Sequence, residues 1–573
     1  MSAAATRAPS AGWDLPSRVA WLLVCCAALL PWFSLTDHPA WPPEEGRYGQ
    51  VAATMVETGD WLVPVFRGEA HLTKPPLSYW AIAAATELFG RGAAAVRVPS
   101  ALATSGVVLL CFLLGSRLRS RAAGVAAALL FAVMPLTMVA GRLGAPDAMM
   151  TFAWFGSLVG ALLALDPRTG ARARLGWCAL FWGGAGAALL LKAPLGLAPI
   201  CIVFAGIAVS GRWSAMRALL PLPGIALALG PFALWAWMVA RAHPQLPEVL
   251  WEESVGRATG DLGKHAPWWT YIPVFLGGLW PATAMLTLPV FNLGWRESWE
   301  RLRADPILPL AILGPLVVFS LSAGKLPHYL LPVAPPLAVL CGMMLAGWME
   351  SAPRLVRPPD VRFTLLVTAA MGAVALTLGV LLAPASLAIP AWWGAVMLPA
   401  VVGAAFLVWQ WPVVASRRRG LLVAWLGIVG SWMLALEVED QVFDSMGAPT
   451  LAPLVERAQA AGGRLLAVVD TDTTRPYYFG EAVVEFGDRD SAAAEAAEAA
   501  RAGDIALVDR RLLPGFERAA AERGLAIRPG DPATVRLLWW RDAGVWTLQP
   551  AHAKTAATSP SDGSSGSGAP RQP

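Results

Sequence analysis

Two carboxylates and a lysine stand in one polar stretch near the start of the chain, between two long apolar segments. The acidic pair is Glu44 and Glu45, and the lysine is Lys74, which is followed by two prolines. A carboxylate can take a proton from an attacking group, and a fixed cation can stabilise a departing anion in a partly dehydrated site. A transferase that uses an anionic, lipid-borne leaving group needs this combination, although an amphipathic surface loop can contain the same residues.

A third carboxylate, Asp147, stands at the start of another apolar segment, after Gly144-Ala145-Pro146. An aspartate in that position most often caps a helix. Ionisable groups near the hydrocarbon edge are costly unless they are paired or used. The sequence therefore leaves helix capping and function open as roles for Asp147.

Long apolar segments must position these residues. The chain has 573 residues, of which 56% are hydrophobic and 14% charged, which excludes a soluble multidomain protein. Windows of about twenty residues predict about thirteen membrane-spanning helices. The predicted spans are 18–36, 97–116, 122–140, 146–165, 175–191, 194–210, 218–240, 270–292, 306–323, 329–348, 362–384, 389–410 and 420–437.

Arginine clusters occupy alternate short loops between these spans, as at Arg117, Arg119 and Arg121 or at Arg168, Arg172 and Arg174. The positive-inside rule places these loops, and the N-terminus, in the cytoplasm. An odd number of spans then places the long loops 37–96 and 241–269 and the C-terminal part together on the outer face. The net charge of +5 reflects this topology and does not indicate nucleic-acid binding.

The chain divides into four predicted parts. A cytoplasmic tail, 1–17, precedes a transmembrane domain, 18–437, within which 48–56 and 77–89 are predicted to form short interfacial helices. Short strands alternating with helices predict a small α/β domain over 438–548, outside the membrane. The Ser, Gly and Pro-rich segment 549–573 is predicted to be disordered. All six cysteines lie in apolar stretches, which favours buried thiols over disulfides.

The polar loop also resembles a known family. The runs EEGRYGQVA, GDWLVP and TKPPLSYW are similar to the first periplasmic loop of bacterial lipid-carrier-dependent glycosyltransferases. That group includes the lipid A aminoarabinose transferases and is related to the protein O-mannosyltransferases. The resemblance implies a GT-C-like fold of many membrane helices, with a catalytic acid on the first outer loop and a polyprenyl-phosphate sugar donor.

The resemblance implies site residues as well. Glu44 stands where the family usually has aspartate, and Asp147 would join it in the active site. The sequence does not decide whether Glu44 or Glu45 is the catalytic carboxylate. Thr73 replaces a residue that is often acidic in relatives and linked there to a metal, so no metal or other cofactor is expected, although a divalent ion is left open. The residues expected to bind the carrier phosphate are Lys74, Arg257, Lys325, Tyr329 and Lys192.

The expected function is transfer of a sugar from undecaprenyl phosphate, with inversion, to an acceptor at the outer face of the bacterial inner membrane. The resemblance favours aminoarabinose as the sugar and lipid A phosphate as the acceptor, in a monomeric enzyme. Transfer of another sugar to a protein or glycan is the alternative. A flippase for lipid-linked sugars is an alternative of another class, but the candidate residues gather at one face and no internal repeat is detectable.

Overall fold

The computed structural model describes most of the first 350 residues and parts of the C-terminal region. The described residues are 16–33, 35, 44–260, 267–286, 306–350, 425, 429, 452–468, 483–485, 492–509, 512–529, 535–536 and 542–550. The chain divides into two compact units. The membrane unit comprises 1–449 with 472–478, and the α/β unit comprises 450–471 with 479–573.

Apolar helices make up the membrane unit, because these sequences satisfy their backbone hydrogen bonds internally and present hydrophobic side chains on every face. Within the described residues, five helices are long and apolar enough to cross a membrane, or six if one bent pair counts as a single span. The chain is thus a multi-pass membrane protein. The helices of eight or more residues in the first 240 positions are α1 Ser17–Leu29, α2 Glu44–Thr58, α3 Leu77–Phe89, α4 Ala93–Leu118, α5 Arg121–Ala132, α6 Pro135–Arg142, α7 Pro146–Leu165, α8 Ala171–Leu191, α9 Ala198–Val209, and α11 Pro221–Ala240.

Shorter elements connect or follow these helices. They are α10 Ala215–Ala218, α12 Leu246–Trp251, α13 Arg257–Thr259, α14 Tyr271–Pro273 and α15 Ala282–Met285, before α16 Ile307–Leu321 and α17 Ala334–Glu350. Short 3-10 helices are formed by Leu30–Trp32, Leu195–Leu197, Trp268–Thr270 and Pro327–Val333, and π-helical turns by Glu252–Gly256 and Val274–Gly278.

Two predicted spans differ from the structure. The span predicted at 122–140 is broken into α5 and α6, which are bent by 67°. Pro135 begins α6, and a proline lacks the N–H that would continue the preceding helix. The described part of the span predicted at 270–292 consists of short turns, one of which ends at Pro273. The spans predicted at 362–384, 389–410 and 420–437 lie outside the described residues, apart from Trp425 and Val429.

The first loop folds into helices α2 and α3 and a short hairpin between them. Strands β1 Val65–Phe66 and β2 Glu69–Ala70 pair antiparallel. Arg67 and Gly68 have φ of 55° and 82°, as a two-residue hairpin turn requires. The helices share a small core, and α3 begins directly after the Lys74-Pro75-Pro76 run. The buried residues of that core are Tyr48, Val51, Ala52, Ala53, Met55, Tyr79, Ile82, Ala83 and Val96.

Glycines bring α7 close to α8. A Cβ added at Gly160 would lie 2.5 Å from the backbone nitrogen of Phe181, and one added at Gly184 would lie 2.8 Å from the carbonyl oxygen of Ala153. Close backbone approach through small residues is a usual basis of helix packing in membranes. The contact holds α7, which carries Asp147 in its first turn, rigidly against α8.

The opposite end of α7 carries an ion-pair cluster. Asp166 accepts hydrogen bonds from Nε of Arg117 at 2.8 Å and from Nη2 of Arg168 at 3.0 Å. The hydrogen bonds from Arg168, together with that from Arg117, hold the pKa of Asp166 well below its usual range. Two arginines from different predicted cytoplasmic loops are therefore joined at one carboxylate.

Replacing Asp166 by asparagine is expected to lower the apparent melting temperature in detergent by about 1–3 °C at pH 7. A depressed pKa stabilises the folded state above the unfolded-state pKa, near 4 for aspartate, and this contribution is lost as the pH falls below that value. The difference between wild type and Asp166→Asn should therefore shrink between pH 4 and lower pH in thermal unfolding. A difference that stays constant down to pH 3 would contradict this explanation.

The α/β unit contains a six-stranded mixed sheet. The elements are α18 Ala452–Ala460, β3 Leu465–Val468, β4 Val483–Glu485, α19 Ala492–Ala499, β5 Ile505–Asp509, α20 Leu513–Glu522, β6 Leu525–Pro529, β7 Val535–Arg536 and β8 Asp542–Pro550. The strand order is β4-β3-β5-β8-β6, and β7 also pairs with β8. Strand β3 pairs parallel with β4 and β5, whereas β8 is antiparallel to β5, β6 and β7. Strands β6 and β8 were not predicted from the sequence pattern.

Candidate active site

Asp147 and Lys192 form an ion pair at one end of the membrane unit. Nζ of Lys192 donates a hydrogen bond to Oδ1 of Asp147 at 3.1 Å. The side chains are 16% and 13% exposed for Lys192 and Asp147, so the pair is largely shielded from solvent but still accessible. Asp147 lies in the first turn of α7, and Lys192 directly follows α8. The packing of α7 against α8 thus brings together two residues that are 45 positions apart in the chain.

The turn Pro327–Val333 supplies two more groups to this pair. Nε2 of His328 lies 3.8 Å from Oδ2 of Asp147, and the ammonium of Lys192 lies 4.3 Å from the centroid of the Tyr329 ring. The His328 and Tyr329 rings contact each other edge to face at 5.1 Å between centroids. Tyr329 was a predicted site residue, whereas no role was predicted for His328. Its place in the run Lys325-Leu326-Pro327-His328-Tyr329 was the one available signal.

Lys74 lies near this cluster and acts electrostatically on the Asp147 carboxylate. Its ammonium is 5.8 Å from the centroid of the Tyr48 ring, and the Tyr48 ring stacks on that of Tyr79 at 5.1 Å. Within the described part of the chain, the Lys74 ammonium makes no hydrogen bond or ion pair. A half-buried cation without such a partner is available to an anionic ligand.

The segment that carries Lys74 is held on both sides. Nε1 of Trp80 donates to the Trp61 carbonyl at 2.5 Å, and Nε1 of Trp235 donates to the Leu62 carbonyl at 3.1 Å. Oγ1 of Thr73 forms a hydrogen bond with Nε2 of His71 at 3.0 Å. The described residues contain no group of three or more His, Cys, Asp or Glu side chains that could hold a metal ion. The absence of an obligatory metal stays a prediction.

Glu45 is placed differently from a catalytic base. The side chain is fully buried and forms a two-bonded ion pair with Arg97, from Nε to Oε1 at 2.9 Å and from Nη2 to Oε2 at 2.8 Å. Oε1 also accepts the Gly144 N–H at 2.6 Å. With both oxygens engaged and no exposed surface, Glu45 has no face open to an acceptor, so its geometry argues against the predicted catalytic role.

The remaining predicted site residues are only partly described. Glu44 begins α2 and Arg257 begins α13, but their side chains lie outside the described residues. The ammonium of Lys325 donates to the carbonyl of Ser322 in its own turn. Among the described side chains, the structure groups Lys74, Lys192, His328 and Tyr329 near the Asp147 carboxylate.

This cluster places one carboxylate among three cationic or ionisable nitrogens. The charge of a lysine in a partly dehydrated site is worth more than in water and needs no reorganisation to act. The Asp147 carboxylate can orient Lys192 and His328, or it can accept a proton from a hydroxyl acceptor. Both arrangements suit a reaction in which a phosphate departs as an anion.

Comparison with solved structures identifies the architectural class. The chain superposes on the crystal structure of ArnT from Cupriavidus metallidurans bound to undecaprenyl phosphate with a TM-score of 0.71. That superposition covers 93% of this chain and 98% of the other, at 21% identity. The apo structure of the same protein gives a TM-score of 0.73 at 22% identity. This chain therefore has the GT-C membrane fold of ArnT, with several apolar helices.

Sequence comparison adds similarity to proteins that share one printed name. The chain is 36% identical over 346 residues to undecaprenyl phosphate-alpha-4-amino-4-deoxy-L-arabinose arabinosyl transferase 2 of Pseudomonas fluorescens (strain Pf0-1), which covers 58% of this chain and 60% of the relative. A similarly named Pseudomonas aeruginosa protein (strain PAO1) is 34% identical over 336 residues, 56% of this chain and 59% of the relative. The chain thus spans about three fifths of these relatives.

A family model described as dolichyl-phosphate-mannose-protein mannosyltransferase matches residues 73–237. That match begins one residue before Lys74 and includes Asp147 and Lys192. Together, these comparisons confirm the resemblance indicated by the first-loop runs, to GT-C lipid A aminoarabinose transferases.

Proposed function

We propose that this protein is a glycosyltransferase that moves a sugar from undecaprenyl phosphate to an acceptor, with aminoarabinose as the sugar and lipid A phosphate as the acceptor. The names of the sequence relatives support this choice of donor and sugar. The observation that carries the proposal is Lys74, a half-buried cation with no described hydrogen-bond or ion-pair partner, beside the Asp147–Lys192 pair. Such a site suits a carrier phosphate that arrives and departs as an anion.

In the proposed reaction, an acceptor oxygen forms a bond to the anomeric carbon of the sugar while the bond from that carbon to the carrier phosphate oxygen breaks. The electron pair of the broken bond leaves with the phosphate, and attack from the opposite face inverts the anomeric centre. Lys74 stabilises the departing phosphate. The further groups proposed to do so are Lys192, Tyr329, Arg257 and Lys325.

The acidic residues act on the acceptor side. A phosphate monoester is largely ionised at neutral pH, since its second pKa is about 6, and such an acceptor needs orientation more than proton removal. Asp147 then serves mainly to hold Lys192 and His328 in place, and Glu44 serves to orient the acceptor. A hydroxyl acceptor would instead need Glu44 or Asp147 as the general base. The acceptor thus decides which role the carboxylates perform.

The orientation of α7 supports a site that faces the periplasm. Asp147 lies in the first turn of this helix, and the Arg117–Asp166–Arg168 cluster follows its last residue, about 30 Å away for twenty residues. The positive-inside rule puts the arginine end in the cytoplasm, so the Asp147 end faces outward. We therefore propose a location in the bacterial inner membrane, with the candidate site facing the periplasm.

The purified protein is expected to release undecaprenyl phosphate from aminoarabinosyl-undecaprenyl phosphate only when lipid A is present. Mass spectrometry of both lipids measures carrier release and sugar gain in one reaction. Release of undecaprenyl phosphate with a protein or glycan acceptor, but not with lipid A, would show that lipid A is not the acceptor. Movement of the sugar-linked carrier across a vesicle membrane, without release of undecaprenyl phosphate, would instead favour the flippase alternative.

A further inference from the structure

A fully buried ion pair lies beside the candidate active site. Arg97 lies near the start of α4, and Glu45 is the second residue of α2. Both side chains are completely inaccessible to solvent, and the guanidinium faces the carboxylate with two parallel hydrogen bonds of 2.9 Å and 2.8 Å. This two-bonded geometry fixes orientation as well as distance, which a single contact would not.

The same pair holds two further segments. Oε1 of Glu45 accepts the N–H of Gly144 at 2.6 Å, and Nη1 of Arg97 donates to the carbonyl of Leu35 at 2.9 Å. The loop at Gly144 lies so close to α4 that an added Cβ would be 2.1 Å from Cγ1 of Val96. The next residue is tied to the same helix, because Oγ of Ser100 donates to the Ala145 carbonyl at 3.2 Å.

These contacts join the two places from which the proposed acidic residues extend. Glu45 directly follows Glu44, and Gly144 precedes Asp147 by three positions. We propose that the Arg97–Glu45 pair is a positioning device that fixes the separation and orientation of the Glu44 and Asp147 backbones. This inference rests on the proposed function, and it assigns Glu45 to positioning rather than to proton transfer.

Stability alone is a poor explanation for the pair. Removing two charges from water offsets much of their attraction, and well-packed apolar residues often hold a protein together equally well. Apolar contacts do not, however, specify one relative orientation of four segments. Four directional hydrogen bonds at one guanidinium–carboxylate pair do specify it, and catalytic groups lose efficiency when they are misplaced by about 1 Å.

The test replaces both partners, so that no single charge is left buried. For Glu45→Gln/Arg97→Gln, we expect kcat for lipid A-dependent release of undecaprenyl phosphate to fall by about 10- to 100-fold. The KM for the charged carrier and the Kd for undecaprenyl phosphate should stay within about three-fold, because the proposed phosphate ligands lie on other segments. Arg97→Lys, with Glu45 intact, retains the charge but not the two-bonded guanidinium geometry, and its kcat should lie between those of the double variant and the wild type.

Two further variants complete the test. Gly144→Ala keeps both charges paired but displaces the loop, and it should lower kcat alone in the same way. Asp166→Asn, which breaks an ion pair at the other end of α7, is the control and should leave kcat unchanged. A double variant with kcat within two-fold of wild type, or one whose KM and Kd rise together with the loss of kcat, would overturn the positioning role. A wild-type protein without acceptor-dependent release would refute the proposed function instead.

Discussion

Replacing Asp147 by asparagine is expected to lower the turnover of lipid A-dependent carrier release by about 1,000-fold, within the range of a lost acid–base or electrostatic group. Asparagine has nearly the same shape and is well tolerated at the start of a helix, so α7 should still form. It carries no charge, however, and can neither accept a proton nor hold Lys192 and His328 by charge. The measurement is kcat with purified protein and both lipid substrates.

A double-mutant cycle separates the two roles open to Asp147. If the carboxylate acts mainly by holding Lys192, then Asp147→Asn, Lys192→Met and the double variant should lose similar activity. If it acts as a general base, the two losses should multiply. Asp166→Asn provides the matched control, since it makes the same substitution beyond the opposite end of α7. Asp147→Asn with more than a tenth of wild-type kcat would show that neither role is right.

Replacing Lys74 by methionine is expected to lower turnover by about 100-fold and to raise the Kd for undecaprenyl phosphate by about ten-fold or more. Methionine preserves much of the side-chain length and its packing beside Tyr48 but removes the charge. The loss should be larger in turnover than in binding, because the charge on the phosphate oxygen increases as the bond to the sugar breaks. Carrier release and equilibrium binding of undecaprenyl phosphate measure the two effects separately.

Arg91→Met is the matched control for Lys74. Arg91 is also a cation of the first loop, but it is 42% exposed and pairs with the exposed Glu57. We expect its replacement to change neither kcat nor Kd beyond two-fold, because exposed ion pairs contribute little. Equal losses in Lys74→Met and Arg91→Met would indicate a general effect of loop charge on lipid attraction. That outcome would refute a specific phosphate contact at Lys74.

Local sequence was enough to predict most helices of the membrane unit. Apolar length and helical periodicity gave α4, α7, α8 and α11, because a chain in hydrocarbon must satisfy its own backbone hydrogen bonds. The amphipathic pattern of the first loop likewise predicted helices near α2 and α3. The bend between α5 and α6 was missed although Pro135 was visible, because a hydropathy window averages over a single proline. Strands β6 and β8 depend on pairing partners distant in sequence.

For the candidate site too, the sequence indicated some features and only the tertiary structure decided the others. Residue type and position alone indicated Asp147 and Lys74, since charged groups are costly near hydrocarbon and so stand out. The family resemblance added Lys192 and Tyr329. Only the packing of helices brought Lys192 to 3.1 Å from Asp147 and placed His328 beside them. Glu44 and Glu45 are adjacent in the chain, and sequence could not separate them. The fold distinguishes Glu45 because Arg97, a residue 52 positions away, buries and engages both of its oxygens.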